Sequence, residues 1–455
     1  MSPNRFRSLS IICCATLFVL SSQGVVAATL CVNPSGSGGC YSKIMTAVGH
    51  ASAGDTIKVA AGHYKEDVII GIPLSLIGAG AGSSVIDATG LADGVFVDGF
   101  HNPGLSHVTV GGFTVKNAQF EGVLVVSAAD VTIRDNTIEE NDKVGGAFTG
   151  APTGCAGQPA FETDETGDCG GGLHLIGVWN SIVSGNLITE NADGILISDE
   201  TAESHDNLIT HNNVLNNPGE CGIVLASHPP MGATPPHFAP HYGIDHNTIS
   251  DNVASNNGVN VGGAGVGMFS DGAGPGRVSE NVVLHNKLTG NGIGGFSLHS
   301  HVGPAFGAPA DNMDSNQIIG NYLASNLADE GDTATPGRVG ININSGGGGT
   351  PIWGTVISGN VIRDEDVDIA INTPAVVNIH LNDLLGGKIG VANVCAFDKA
   401  SCTGGSSATQ NYWGCFAGPG HSGCTTASGA NVTSNPWLQK AATDQDDVMQ
   451  QGDED

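Results

Sequence analysis

A pair of asparagines five residues apart, repeated along the chain with its internal spacing unchanged, constrains this sequence more than any other feature. The pairs are Asn136/Asn141, Asn186/Asn191, Asn212/Asn217, Asn252/Asn257, Asn286/Asn291 and Asn321/Asn326, with Asn360 alone after them. From Asn186 onward each pair leads to a glycine that opens a short apolar run. These runs are Gly194-Ile-Leu-Ile, Gly222-Ile-Val-Leu, Gly265-Val-Gly-Met, Gly295-Phe-Ser-Leu and Gly340-Ile-Asn-Ile. Spacing between the pairs varies. A fixed unit with variable connections is the mark of a stacked array, each unit a rung and each insertion at a corner.

Each rung reads as three short strands. Within 181–198 these are SIVSG, NLITE and GILIS, where apolar and polar residues alternate with the period of a half-buried strand. No segment after Gly80 holds an apolar helical period for three turns. Stacked rungs would pair every strand in parallel with its copy ~4.8 Å away. The expected fold is therefore all-β, a single-stranded parallel β-helix, or solenoid. The asparagines fall at the bends, where each side-chain amide can bond the next in a ladder, so their role is structural. Rungs of the form NxIxxNxxxGIxL resemble the right-handed parallel β-helix repeat family, the pectate-lyase-like superfamily with its periplasmic NosD-type relatives. The resemblance runs from Ser42 to Leu438 and implies a right-handed solenoid. It implies no single function, because such folds host lyases, hydrolases, epimerases and adhesins.

Residues 1–28 read as a secretory signal: Arg5 and Arg7, an apolar core Ile11–Leu20 and the small residues Val26-Ala27-Ala28. That core is too short to cross a bilayer, and no later stretch is long and apolar enough to do so. A secreted or periplasmic protein without membrane insertion is expected. Residues 29–90 form an N-terminal cap and first strands, with an amphipathic helix over Tyr41–Ala51 in which Ile44, Ala47 and Val48 are apolar. Residues 91–394 carry the rungs, nine or ten in number counted from Gly54. The rung pattern fades after Pro374. Residues 395–440 form a disulfide-rich C-terminal cap in which Trp413 and Trp437 supply apolar mass, and 441–455 an acidic disordered tail.

Two of the 11 cysteines, Cys13 and Cys14, lie in the leader, which leaves nine. Their spacing in an oxidising compartment predicts local bridges: Cys31–Cys40, Cys155–Cys169, Cys395–Cys402 and Cys415–Cys424. Cys221 is left over, as a buried thiol.

The chain carries 15 basic and 44 acidic residues, a net charge of −29. Without Arg5 and Arg7 the balance is 13 against 44, or −31. This excludes a nucleic-acid partner and repels a polyanionic substrate unless metal ions bridge it. Few basic residues lie near the strands (Arg277, Lys287, Arg338), which speaks against a lyase that depends on Lys or Arg. The insertion 149–168 holds Glu162, Asp164, Glu165 and Asp168 without the spacing of a calcium loop, and reads as a solvated acidic loop.

Aligning rungs on the glycine before the closing strand exposes a column of titratable groups. Asp199 falls five residues beyond Gly194. Six beyond the successive glycines stand Glu200, His228, Asp271 and His301, and four beyond stands His299, beside Phe269 and Asn344. The third position holds apolar residues, so the fourth points outward. Adjacent members would be ~5 Å apart at the backbone. Two proline-containing loops, Pro229–Pro240 and Val302–Ala310, flank the column, and the former brings His237 and His241. The expected arrangement is a cleft with Asp271 as the central acid/base between His228 and His301, supported by Glu200 and His299. The alternative is that His228, Asp271 and His301 hold a divalent metal, calcium or a transition metal. The expected function is that of a secreted monomer that cleaves or modifies an extracellular polysaccharide, as a lyase or a glycoside hydrolase would. The competing reading is a non-catalytic glycan-binding or metal-binding module.

Overall fold

Short strands, mostly of three to five residues, follow one another at the sequence's own rung period and stack in parallel on their copies. In this computed structural model the described residues are 27–143, 159, 161, 170–232, 239–270, 274–301, 303–328, 337–394 and 404–442. They form three long sheets of 14, 12 and 11 strands and a small one of three. Register is strict. Ile197, Leu225, Met268, Leu298, Ile343 and Ile371 stand above one another in the 12-stranded sheet. All six are fully buried in one continuous core that also takes Ile195, Ile223, Val266, Phe296 and Ile341. Each such side chain contributes about 1.5–3 kcal/mol on burial, and a rung has nowhere to bury it except against its neighbours.

Two residue types make the stacking possible. Asn252 illustrates the first. Its Oδ1 accepts the backbone N–H and the side-chain Nδ2–H of Asn212 (2.9 and 3.0 Å). Its Nδ2 donates to the Ile209 carbonyl (2.9 Å) and to Asn286 Oδ1 (3.0 Å). Only a planar amide with a donor and an acceptor on one short stem completes both rungs at once. Glycine is the second. A Cβ on Gly194 would lie 2.0 Å from the Gly222 carbonyl oxygen, and one on Gly222 would lie 2.8 Å from that of Gly265. Rungs touch backbone to backbone at this corner, which is why each closing strand opens on glycine.

The ladders exceed the sequence reading. The Asn186 ladder continues through Asn321, Asn360 and Asn382 to Asn411. A third ladder, Asn207, Asn247, Asn281 and Asn316, stands five residues before the pairs. The rung pattern likewise does not end after Pro374. Val377–His380, Asp383–Leu385 and Ile389–Asn393 extend the three sheets, and Ser406–Ser407, Thr426–Ser428 and Val432–Thr433 pair beyond them. The solenoid is thus longer than the nine or ten rungs expected. Its first strands start at Thr29, and the helix is confined to Ile44–Val48. Glu66 accepts the N–H groups of Ile44 and Met45 (both 2.9 Å), which satisfies the start of this one-turn helix. Trp413 is fully buried in the core and Trp437 packs against it.

Bridges Cys31–Cys40 and Cys415–Cys424 are present. The other two expected pairs, the insertion 149–168 apart from Pro159 and Phe161, the tail 443–455 and the leader before Ala27 lie outside the described residues. Cys221 carries a buried thiol that accepts the Ala264 N–H (3.1 Å). Among the described residues no helix is long and apolar enough to cross a membrane.

Candidate functional site

The outer face of the 12-stranded sheet has its own register. Leu196, Val224, Gly267 and Ser297 stack in one outward column. Leu196 and Val224 join Cys221, Ala226 and Ala264 in an apolar cluster separate from the main core, with Phe269 and Ile293 against it. Gly267 leaves a gap in the column. A Cβ there would lie 2.4 Å from Phe269 Cε2 and 3.0 Å from Cys221 Sγ, so the absent side chain is what lets the phenyl ring lie back along the sheet. This cluster is the floor of a pocket of about 250 Å³. Asp193 and Glu220 stand at the start of the strands, His228, His299 and His301 at their far end, and the turn Val261–Gly262 at the side. Glu220 and His228 are eight residues apart along an extended chain, which separates their backbones by roughly 25 Å.

The histidine end is built on a buried polar relay. Glu200, wholly buried, accepts from Ser198 Oγ (2.5 Å) through Oε2 and faces His228 Nδ1 (2.7 Å) through Oε1. Because Ser198 gives its hydrogen to Glu200, His174 donates to Ser198 through Nε2 (2.8 Å). His174 Nδ1 and Glu121 Oε1, 3.1 Å apart, then share a proton. Burial pushes His174 down to about 4, against the pull of Glu200. Burial also opposes ionisation of Glu200, but His228, with His174 and Ser198, outweighs it and holds this carboxyl below its ordinary value. The neighbouring Asp199 behaves oppositely. Burial and then Glu200 push it up to about 7, although it accepts the N–H groups of His228 (2.8 Å) and Gly243 (2.5 Å). Adjacent carboxyls thus hold different protonation states near neutrality, one ionised beside an imidazole and one readily protonated.

His299 is a neutral histidine. Its Nε2 accepts from Asn342 Nδ2 (2.9 Å), which leaves the proton on Nδ1. Burial, then His301 beside it, pushes it down to about 3. His301 stacks on Phe269, with ring centroids 5.5 Å apart, and Phe269 meets His299 edge-on at 5.6 Å. An imidazole gripped at Nδ1 by a carboxylate and presented to a pocket is the arrangement a general acid/base requires, with proton exchange through Nε2. Among the described residues no group of three His, Cys, Asp or Glu side chains is placed to hold a metal ion.

Comparison with known proteins supplies the hand of the coil. The family model for the right-handed beta helix region matches residues 82–234 and 166–308. The chain belongs to the right-handed parallel β-helix family. No curated protein matches it. Among solved structures the β-helix is similar to ORF18 of Geobacillus virus E2 (15% identity, TM-score 0.49), covering 75% of this chain and 58% of that one. It therefore spans little more than half of the viral protein. It is also similar to the A-module of the mannuronan C-5 epimerase AlgE4 of Azotobacter vinelandii (15%, TM-score 0.43, 87% of this chain and 91% of that one). A third is the catalytic unit of the GH87 α-1,3-glucanase of Streptomyces thermodiastaticus (15%, TM-score 0.48, 88% and 67%). Two of these three are carbohydrate-active enzymes. At such identities the likeness is one of fold.

The register places the expected column as follows. Glu200 and His228 meet on adjacent rungs, and His299 and His301 line the same pocket. Phe269, His299 and Asn344 share one position, as aligned. His241 arrives beside Ser227 (3.0 Å). Asp271 and His237 lie outside the described residues, so Asp271 keeps only its sequence position between His228 and His301. Four residues were missed: Glu121, His174, Asp193 and Glu220. For His174 a signal existed, since it interrupts an outward column between Leu124 and Leu196. Asp193 stands one residue before a rung glycine, where later rungs hold Ala264 and Gly294, and Glu220 two residues before one, where later rungs hold Gly263 and Ile293. Arg277, one of the few basic residues near the strands, is engaged by Glu203 and by Asp245 (2.6 Å).

Proposed function

We propose that this protein is an exported carbohydrate-active β-helix that cleaves or modifies a neutral or weakly charged glycan in the pocket on its 12-stranded sheet. The observation that carries this reading is the His228–Glu200 pair, 2.7 Å apart, at one end of an open pocket with an aromatic floor. His228 is the proton-transfer group, and it gives or takes a proton at a sugar oxygen. Glu200 orients the ring and stabilises the imidazolium that forms. Asp271, one rung further in the sequence register, is the candidate for the second acid/base. Phe269 offers a flat apolar face to a sugar ring. Among the described residues no Lys or Arg lines the pocket, and the chain carries a net charge of −29, so a polyuronate is disfavoured.

The test is a screen of the purified protein against a panel of polysaccharides, with and without chelator. Release of reducing ends or of unsaturated product, unaffected by chelator, is the expected result. Binding without turnover would support the non-catalytic module instead. Turnover abolished by chelator would bring back the metal role of His228, Asp271 and His301.

A further inference from the structure

The carboxyl next to Glu200 has no part in the proton transfer read above. Asp199 is fully buried, one residue past the strand Ile195–Ser198. Among the described residues three donors reach it, all from the following rung. Its Oδ1 accepts the His228 N–H (2.8 Å). Its Oδ2 accepts the Gly243 N–H (2.5 Å) and the Ser227 hydroxyl (3.1 Å). His228 leads into the proline-containing insertion, and Gly243 follows it, directly before the strand Ile244–Asp245. One carboxylate therefore ties the two ends of the insertion together. The Glu200 carbonyl adds a further point by accepting the Met231 N–H (2.9 Å).

His228 depends on a hold of this kind. Sheet pairing between its rung and the one before ends at Ser198 and Ala226, and its own strand ends at Ser227. Two rungs on, His301 stands at the same register position, and its N–H goes to the backbone carbonyl of Ser270 (3.1 Å). Asp199 corresponds to Ser270 one rung before His228, and there the side chain takes the N–H in place of the backbone. Bonds to a carboxylate are roughly twice as strong as those between neutral groups. The Asp199–Glu200 dipeptide thus grips one histidine twice: Asp199 takes its backbone N–H at 2.8 Å, and Glu200 meets its ring at Nδ1 at 2.7 Å.

We propose that Asp199 is a positioning residue for His228: by tying the His228 and Gly243 amides together it fixes the backbone from which the imidazole reaches Glu200. This rests on the reading of His228 as the proton-transfer group, and adds how that group is held.

The test is amide hydrogen exchange at His228 and Gly243. Ile223, whose N–H is held by the Gly265 carbonyl (3.0 Å) on the same strand, is the internal reference. It is run at pH 8, above the value of about 7 to which burial and then Glu200 push Asp199, so that the parent carries the carboxylate. In the parent both amides should exchange within about tenfold of Ile223. An amide side chain has one acceptor oxygen, so Asp199→Asn should keep one of the two slow and release the other by about tenfold or more. Asp199→Ala should release both. In the same variants the downfield proton signal of His228 Nδ1 on Glu200, assigned by its loss in His228→Ala, should weaken, more in Ala than in Asn. On the glycan that the parent turns over, kcat should fall by about ten- to hundredfold with binding kept within severalfold, the cost of a misplaced reacting group.

An Ile223 rate that rises along with the other two would make Asp199 a general support of the rung and overturn the proposal. Parental exchange in Asp199→Ala, or an unchanged His228 signal once the amides are released, overturns it too. If neither variant folds, the parent decides: exchange of both amides at the rates of a free loop refutes the hold, and protection equal to that of Ile223 supports it. Exchange and ring signal need no substrate. If both change as expected while no glycan is turned over, the hold stands and the glycan reading falls. If the parent turns over a glycan and neither changes, the hold falls and the glycan reading stands.

Discussion

A single missing side chain shapes the floor of this pocket. At Gly267 the outward column that holds Leu196 and Val224 is empty, and the Phe269 ring occupies the space. Gly267→Ala puts a methyl 2.4 Å from that ring, so the ring must swing out. The expected outcome is a modest loss of stability, about 1–3 kcal/mol as for other overpacked sites, with a loss of affinity for whatever glycan the parent binds. Calorimetry on the variant and parent checks both, and parental affinity would mean that Phe269 is no platform. The histidine end shows why a column of titratable residues could be read from the sequence while its wiring could not. Register alone brought Glu200 and His228 together. Of the partners that fix their protons, Ser198 stands two residues before Glu200 on the same rung, His174 one rung earlier and Glu121 two rungs earlier, and an insertion whose length hides the register separates those last two.

At the level of the repeated element, the asparagine ladders explain both the sequence pattern and its cost. Removing the Asn252 side chain takes the acceptor from the Asn212 N–H and the side-chain donor from the Ile209 carbonyl, and costs Asn212 Nδ2 and Asn286 Oδ1 one bond each. Each buried orphan costs about 1–3 kcal/mol. Asn252→Ala should therefore lower stability by about 3 kcal/mol or more, whereas Asn213→Ala, at an exposed strand position, should change it by about 0.5 kcal/mol or less. Denaturant unfolding of the two variants makes the comparison, and similar losses would refute the ladder's structural role. The pairs five apart were legible because the bends recur at that interval whatever the insertions between rungs. The third ladder, Asn207 to Asn316, was missed although it keeps the same interval, because its earliest rung carries Ser181 in that place. Beyond Pro374 the strands continue on Asn382 and Asn411 without the second asparagine of each pair. Glu365 has taken over that ladder's end by accepting from Asn326 (3.0 Å).

Over the whole molecule, the buried carboxyls set how stability depends on pH. Burial pushes Asp93, Asp199 and Glu365 up to about 7 and Asp67 to about 6, and raises Asp368 as well. Unfolded, such groups titrate near 4. Between those values the folded chain holds more protons than the unfolded one, so stability falls as pH rises through that window and stays low above it. His174 and His299, pushed down to about 4 and about 3, act oppositely, losing stability as pH drops below about 6.5, their unfolded value. Five carboxyls outnumber two imidazoles, and growing self-repulsion on a chain of net charge −29 adds to the carboxyl side. The melting temperature should thus be higher near pH 5 than near pH 8, and Asp199→Asn should flatten part of the fall. A melting temperature that rises across that range would refute the assignment of these groups as buried acids.

The central claim is that His228, held by Glu200, transfers the proton in a glycan reaction. The most direct measurement is steady-state kinetics of His228→Ala and Glu200→Gln on the glycan the parent turns over, alongside calorimetric binding of the same glycan. Proton transfer by a positioned side chain contributes about 10²–10⁴ in rate. His228→Ala should lose kcat by about that factor with binding kept within severalfold, and Glu200→Gln should lose less and shift the pH profile. A folded His228→Ala that keeps the parental kcat would contradict the claim.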